Sequence, residues 1–305
     1  MSVRIQDTEH NNQIKDDMQR IIPIYINKLK RIYCTIIKFL DNQYEINNVN
    51  DEPFHILKCY ADNIECDENR EEITQILHMI NNIASNHHRG SNFIKKIKKI
   101  IQCFKSVIMS SLSNYEIFSI FKENKLILKY LIDSEIINVS EEICKEIIYK
   151  IELNGTKYCH FFYPEIKKFI DDDKIKEIEK ELLSENPNIF DNFESKLLEG
   201  ENDSYICSLI RQDSIEEFVS YVNRLNMPLT SEIKHSIFET NSFLIENEST
   251  SLIEYSAFFG SIQIFNYLRM MNVELKPSIW LYAIHSQNTE LFHLLESRLL
   301  RHYFF

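Results

Sequence analysis

The sequence predicts an all-α protein, a helical solenoid of helix-turn-helix repeats behind a helical N-terminal region. Three observations point there. Apolar residues recur at spacings of three and four along most of the chain, the period of an amphipathic helix. Sustained period-two alternation, the mark of a half-buried strand, is almost absent. Glycine occurs only four times in 305 residues, against an average usage of roughly 7%. That scarcity argues against Gly-rich phosphate loops, β-barrels and dinucleotide-binding turns, and favours helices joined by short turns.

Taken in order, "RIIPIYINKLKRIYCTIIKFL" carries Ile, Leu and Tyr at helical spacing. Pro23 belongs near its start, where a missing N–H does no harm. "DEPFHILKCYADNI" and "REEITQILHMINNIA" follow, the latter with Ile73, Ile76, Leu77 and Ile80 on one face. "SNHHRGSN" breaks the pattern at Gly90 and reads as a turn. "SNFIKKIKKIIQCFKSVI" is the clearest amphipathic helix, with a stripe of Phe93, Ile97, Ile100, Ile101, Phe104 and Ile108 and lysines on the other side. "SNYEIFSIFKENKLILKYLIDSEII" predicts two short helices with a turn near Glu123 and Asn124. In "NVSEEICKEIIYKI", Ser140 is placed to cap a helix whose first turn holds Glu141 and Glu142. Residues 165–203 are charge-rich and carry Pro187 and Gly200; the expectation is a charged connector with some helix, dividing a helical region 1–164 from repeats at 204–305.

The bulk properties narrow the function. Apolar residues make up 44% and charged residues 26% of the chain, an ordinary globular balance with enough length for a sizeable core. A net charge of −12 argues against nonspecific nucleic-acid binding. No run reaches the roughly 18 apolar residues that a membrane helix needs, and the polar start "MSVRIQDTEHNNQ" lacks a signal-peptide core. Seven scattered cysteines without a CxxC predict reduced thiols in the cytoplasm.

Near the C-terminus the sequence repeats itself. Shifted forward by 27 residues, Ser251 meets Ser278, Ile253 meets Trp280, Tyr255 meets Tyr282, Ser256 meets Ala283, Ile264 meets Leu291, Phe265 meets Phe292 and Leu268 meets Leu295. Each unit reads as a short helix, a tight turn and a second helix. Ser251 with Glu254 has the spacing of a capping box. Gly260 suits a left-handed residue ending the first helix, and Asn272 ends the second in the same way. Upstream, Ile127, Leu128 and Leu131 stand where Ile264, Phe265 and Leu268 stand, which fits either a further repeat or any helix pair of ordinary spacing.

On these residues the stretch "SLIEYSAFFGSIQIFNYLRMMNVEL" resembles the ankyrin pattern T-P-L-H-x-A-A-x-x-G, then I-V-x-x-L, then G-A. Ser251 stands at the Thr, Ile253 at the Leu, Ser256 and Ala257 at the Ala pair, Gly260 at the Gly, Ile264 and Phe265 at the Ile-Val pair. With "NDSYICSLIRQDSIEEFVSYVN" and "SIFETNSFLIENE", it looks like a divergent ankyrin family that is expanded in trichomonad protists and carries an uncharacterised helical N-terminal region. The sequence departs from the pattern in several places. The His that ties neighbouring turns together is Glu254 in one unit and Leu281 in the next, and Gln287 replaces the second Gly. A period of 27 is shorter than the usual of about 33, so the finger after Leu275 is expected to be trimmed. "LTSEIKHSIFETNSFLIENEST", between units, is long enough to carry a helix of its own. The resemblance implies a non-enzymatic scaffold that binds a protein through a concave groove. It sets Phe258, Phe259, His285 and Ser286 at that groove.

Chemistry finds little purchase. His55 and Cys59 share a helix face without further ligands, so no metal is expected. Cys159 beside His160 points two groups apart rather than together. The acidic run 171–173 lacks the alternation and glycine of a calcium loop. Phosphate-loop, nucleophile-elbow and zincin motifs are absent, so neither an enzyme, a small-molecule substrate nor a cofactor is expected. A second reading is a peripheral membrane or nucleic-acid binder using the basic helix at 89–105, through Arg89, Lys95, Lys96, Lys98 and Lys99.

Overall fold

The computed structural model describes residues 23–41, 52–64, 70–86, 92–151, 157–247 and 249–303, with side chains described as far as residue 296. Their regular structure is helical, and extended backbone pairs only at two isolated bridges, Ile151 with Lys157 and Glu232 with Ser251. The contacts divide the chain into two compact units, Met1–Asn82 with Arg89–Ser113 and Ile83–His88 with Asn114–Phe305. The turn expected at "SNHHRGSN" falls largely outside the described residues.

The first unit is built from α1 (23–41), α2 (Glu52–Asp62), most of α3 (Arg70–Asn86) and α4 (Phe93–Ser111). Pro23 is the first described residue of α1, and the start of that helix lies outside the described residues. The stripe expected on α4 is buried in full, together with Ile36 and Phe39 of α1, Leu57 of α2 and Ile76, Leu77 and Ile80 of α3. One expectation fails here. Lys96 is not on the outer side of α4 but only 3% exposed. It lies three residues after Phe93 and four before Ile100, on the apolar stripe itself. Its Nζ donates to the Leu40 carbonyl at 3.0 Å and sits over the Phe39 ring at 5.5 Å, which satisfies the buried charge.

The second unit starts with α5 (Asn114–Phe121) and α6 (Lys125–Asp133), joined by the expected turn. Asn124 caps α6 by accepting from the Ile127 amide, and Ser140 caps α7 (Glu141–Tyr149) by accepting from Ile143. There follow α8 (Tyr158–Phe161), α9 (Tyr163–Ile166), a 3₁₀ turn (Lys167–Phe169), α10 (Asp172–Glu185) and α11 (Phe193–Glu199). The segment 165–203, expected as a connector, is folded into this unit. Ile166, Ile178, Leu182, Ile189, Phe193 and Leu197 are all buried. The charges of α10 occupy its outer side while Ile178 and Leu182, four apart, hold it down.

The remainder is a series of helix pairs: α12 (Tyr205–Arg211) with α13 (Ile215–Arg224), α15 (Leu252–Phe259) with α16 (Ile262–Met270), and α17 (Ile279–Ser286) with α18 (Thr289–Tyr303). The long insertion between the first two pairs carries its own helix, α14 (Ser242–Glu246). The inner helices stack α12 on α15 on α17, and α13 lies against α16. Shifting α15 forward by 27 residues gives both ends of α17, and the same shift carries the start of α16 to the start of α18.

Candidate interaction surface

The first two pairs are closed by the same few bonds. Gly260 ends α15 at φ 68°, and Asp213 and Gln287 take the same left-handed conformation after α12 and α17. The first two turns close alike: the Ser214 amide donates to Leu209 O at 3.0 Å, the Ser261 amide to Ser256 O at 2.9 Å. The second helices of these two pairs end alike too, at left-handed Asn226 and Asn272, with Met227 bonded to Val222 and Val273 to Leu268. Upstream, α6 ends by this device at Glu135, with Ile136 bonded to Leu131 at 2.9 Å. Ile127, Leu128 and Leu131 are as fully buried as Ile264, Phe265 and Leu268.

Between pairs, polar side chains bridge the turns. Asp213 accepts from the Gln263 and Ile264 amides, both at 3.0 Å, and so caps the N-terminus of α16 from the preceding pair. Ser261 Oγ donates to Ile210 O at 2.5 Å, and Asn288 Nδ2 donates to Gly260 O at 3.2 Å. Glu254 closes the expected capping box, its Oε2 accepting from the Ser251 amide at 2.9 Å. Its other oxygen accepts from Ser278 Oγ at 2.8 Å. The residue at the pattern's His position therefore joins two consecutive inner helices.

The four groove positions receive different surroundings. Phe258 is only 6% exposed. Phe243 of α14 stacks on it with centroids 5.8 Å apart and planes at 10°, and also meets Tyr282 at 5.0 Å and His285 at 4.4 Å. Phe258 is thus part of the core beneath the insertion, not a free surface aromatic. Ser286 is buried as well, its hydroxyl donating to Ala283 O at 2.7 Å. Phe259 and His285 are half-buried, as is Phe243. Phe243 was not marked by the sequence, because nothing in the irregular insertion announces where its ring docks.

Two short backbone bonds hold the insertion in place. Ile233 N donates to Thr250 O at 2.7 Å and Leu252 N to Ser231 O at 3.1 Å. Below it, Tyr255 is 1% exposed and accepts from Arg211 at 3.1 Å. Burial drives its phenol well above its ordinary value. Burial also pushes the neighbouring Cys207 thiol up to about 11, with Ser204 and Tyr255 opposing the shift. A thiol so placed is a packing group rather than a nucleophile.

The other candidates are equally plain. His160 Nε2 lies 3.0 Å from Glu181, and burial raises Cys159 away from thiolate formation. His55 approaches Cys59 at 3.5 Å, and no cluster of metal-ligating residues occurs among the described residues. No described helix is long and apolar enough to cross a membrane. Of the basic patch, Lys95 is exposed, Lys98 and Lys99 are half-buried and Lys96 is internal. Lys99 lies over the Phe54 ring at 4.0 Å. Arg89 lies outside the described residues.

No family model, curated protein or solved structure matches this chain. What can be said of its function rests on the repeated geometry of the pairs and on the surfaces they leave open.

Proposed function

We propose that residues 204–305 are a stack of ankyrin-like helix pairs, and that the chain is a non-enzymatic cytoplasmic adaptor that holds a protein partner. The observation that carries this reading is the polar bonding between successive pairs. Asp213 to α16, Ser261 to Ile210, Asn288 to Gly260 and Glu254 to Ser278 all join residues of one pair to the next. An array coupled in this way presents a continuous rigid face, and a rigid face lowers the ordering cost of binding. The contact surface on the inner-helix side is the half-buried aromatic group Phe243, Phe259 and His285, rather than Phe258 and Ser286. Half-buried aromatics bring large area at small entropic cost and are common anchors.

The test uses the full chain with a photo-reactive amino acid at residue 259 or, as a control, at exposed Lys95 in the first unit. Cross-linking in native lysate should yield one dominant protein from position 259 and not from the control. Its capture should fall in Phe259→Glu with circular dichroism unchanged. Equal products from both positions, or none from 259, would refute the assignment. A capture that collapses with rising salt would instead return the basic helix of the first unit as the binding element.

A further inference from the structure

Beneath the insertion, Glu239 is satisfied on one side only. The residue is 6% exposed. Its Oε1 accepts from the Thr240 amide at 2.9 Å and from the Asn241 amide at 2.8 Å. Its Oε2 is buried, and no donor among the described residues reaches it. A buried carboxyl oxygen in that position has lost its hydration and gained no bond in exchange, which native folds rarely tolerate. Lys234 and His235 lie close by, but both are exposed and neither bonds to Oε2.

A small chamber lies beside this carboxyl group, between the insertion and α15. Glu239, Thr250 and Tyr255 line it with polar side chains, and Ile233 and Leu244 with apolar ones. Thr250 and Tyr255 are buried like Glu239. The chamber leaves about 20 Å³ of room for a water-sized sphere. One water needs roughly 10–15 Å³ on that measure, with two to four polar partners around it. Both conditions are met, and an organic ligand is excluded by size. A metal ion is the poorer fit, because Lys234 lies against the chamber and no group of three metal-ligating side chains occurs among the described residues.

We propose that this chamber is a binding site for one long-lived water molecule, which donates to Glu239 Oε2 and bonds to the hydroxyls of Thr250 and Tyr255. Both hydroxyls can donate or accept, so the water is satisfied in turn. Thr250 Oγ1 lies 3.3 Å from the Tyr282 hydroxyl, and Tyr255 accepts from Arg211 at 3.1 Å. The water therefore completes a polar chain from α12 through α15 and the insertion to α17. It adds a link to the two backbone bonds that hold the insertion over Tyr255. This inference rests on the chamber and its carboxyl group, not on the adaptor reading.

The test is a crystal structure of the full chain at a resolution that shows ordered water. The expected result is one isolated peak at about 2.8 Å from Glu239 Oε2 and from the hydroxyl of Thr250 or Tyr255. An empty chamber overturns the proposal, as does a Lys234 or His235 nitrogen bonded to Oε2. So does a peak ringed by six or more oxygens at about 2.3–2.6 Å, the coordination of a cation. In solution, thermal midpoints of the full chain in sodium, potassium and choline chloride at equal ionic strength should agree within about 1 °C. A rise specific to one alkali cation would mean that an ion occupies the site, and would overturn the assignment to water.

Discussion

Gly260 and Gln287 occupy equivalent places, each ending an inner helix in the left-handed conformation at φ 68° and 50°. They are predicted to respond to substitution in different ways. A Cβ added at Gly260 would meet Ser286 Cβ at 3.2 Å and Asn288 Cβ and Nδ2 at 3.3 Å. The left-handed conformation costs an alanine roughly 1–2 kcal/mol. Displacing Asn288 also weakens its bond to Gly260 O, worth about 1 kcal/mol. Alanine's smaller loss of chain entropy returns about 0.7 kcal/mol. Gly260→Ala should therefore destabilise the stack by about 2 kcal/mol, and Gly260→Val by more, since a β-branched residue resists that conformation further. Gln287→Gly removes the strain already carried there but frees the unfolded chain. The two effects nearly cancel, leaving a change within about 0.5 kcal/mol. Urea unfolding followed at Trp280 reads both. With a slope of about 2–3 kcal/mol per molar, Gly260→Ala should lower the midpoint by about 0.8 M, and Gln287→Gly should leave it in place. Equal midpoints for Gly260→Ala and wild type, or equal losses in the two variants, would refute the stacking register.

Asp213→Ala should cost about 1–2 kcal/mol, because it removes the acceptor for two amides of α16; an unchanged urea midpoint would mean that water replaces the cap without loss. Phe258→Glu should destabilise by about 3–5 kcal/mol, placing a charge beneath Phe243, while Phe259→Glu should cost far less; similar thermal midpoints for the two would return Phe258 to the surface. Cys207 titrates near 11 in the folded chain against 9 for a free thiol. Its contribution is complete below pH 9 and is lost as pH rises through 11, a weakening of about 3 kcal/mol. Urea midpoints on either side of that window should show the loss, and Cys207→Ala should reduce it by its own share, leaving the part due to Tyr255 and to the other groups that burial raises, Cys159 and Tyr282 among them.

The devices that set individual helices were legible because they are local. Ser140, the Ser251–Glu254 box, Gly260 and Asn272 act within a few residues, and each does what its spacing implies. Lys96 was also within reach. Its spacing from Phe93 and Ile100 places it on the buried face, and its charge alone suggested otherwise. The segment 165–203 was misleading in the same way. High charge hid the i, i+4 pairs Ile178–Leu182 and Phe193–Leu197 that fold it into the second unit. Phe243 was beyond reach. Its insertion has no period, and the seat of its ring on Phe258 and His285 is a tertiary contact more than ten residues away. The four expected contact residues were accordingly chosen by place in the 27-residue pattern, and that pattern does not carry their exposure.

Glu254 couples α15 to α17 in a way that the equivalent position one unit on does not reproduce. Buried at 5% exposure, it is tolerable only because both oxygens are bonded, one within its own capping box and one to Ser278 of the next pair. That second bond is available only if another inner helix follows with a hydroxyl at its start. One unit on, the equivalent position is Leu281, which has neither need nor means for such a bond. Ala257, small enough for α17 to lie close against it, is likewise followed by Ile284, whose bulk would hold an identical helix further off. The coupling used between α15 and α17 therefore cannot be repeated beyond α17.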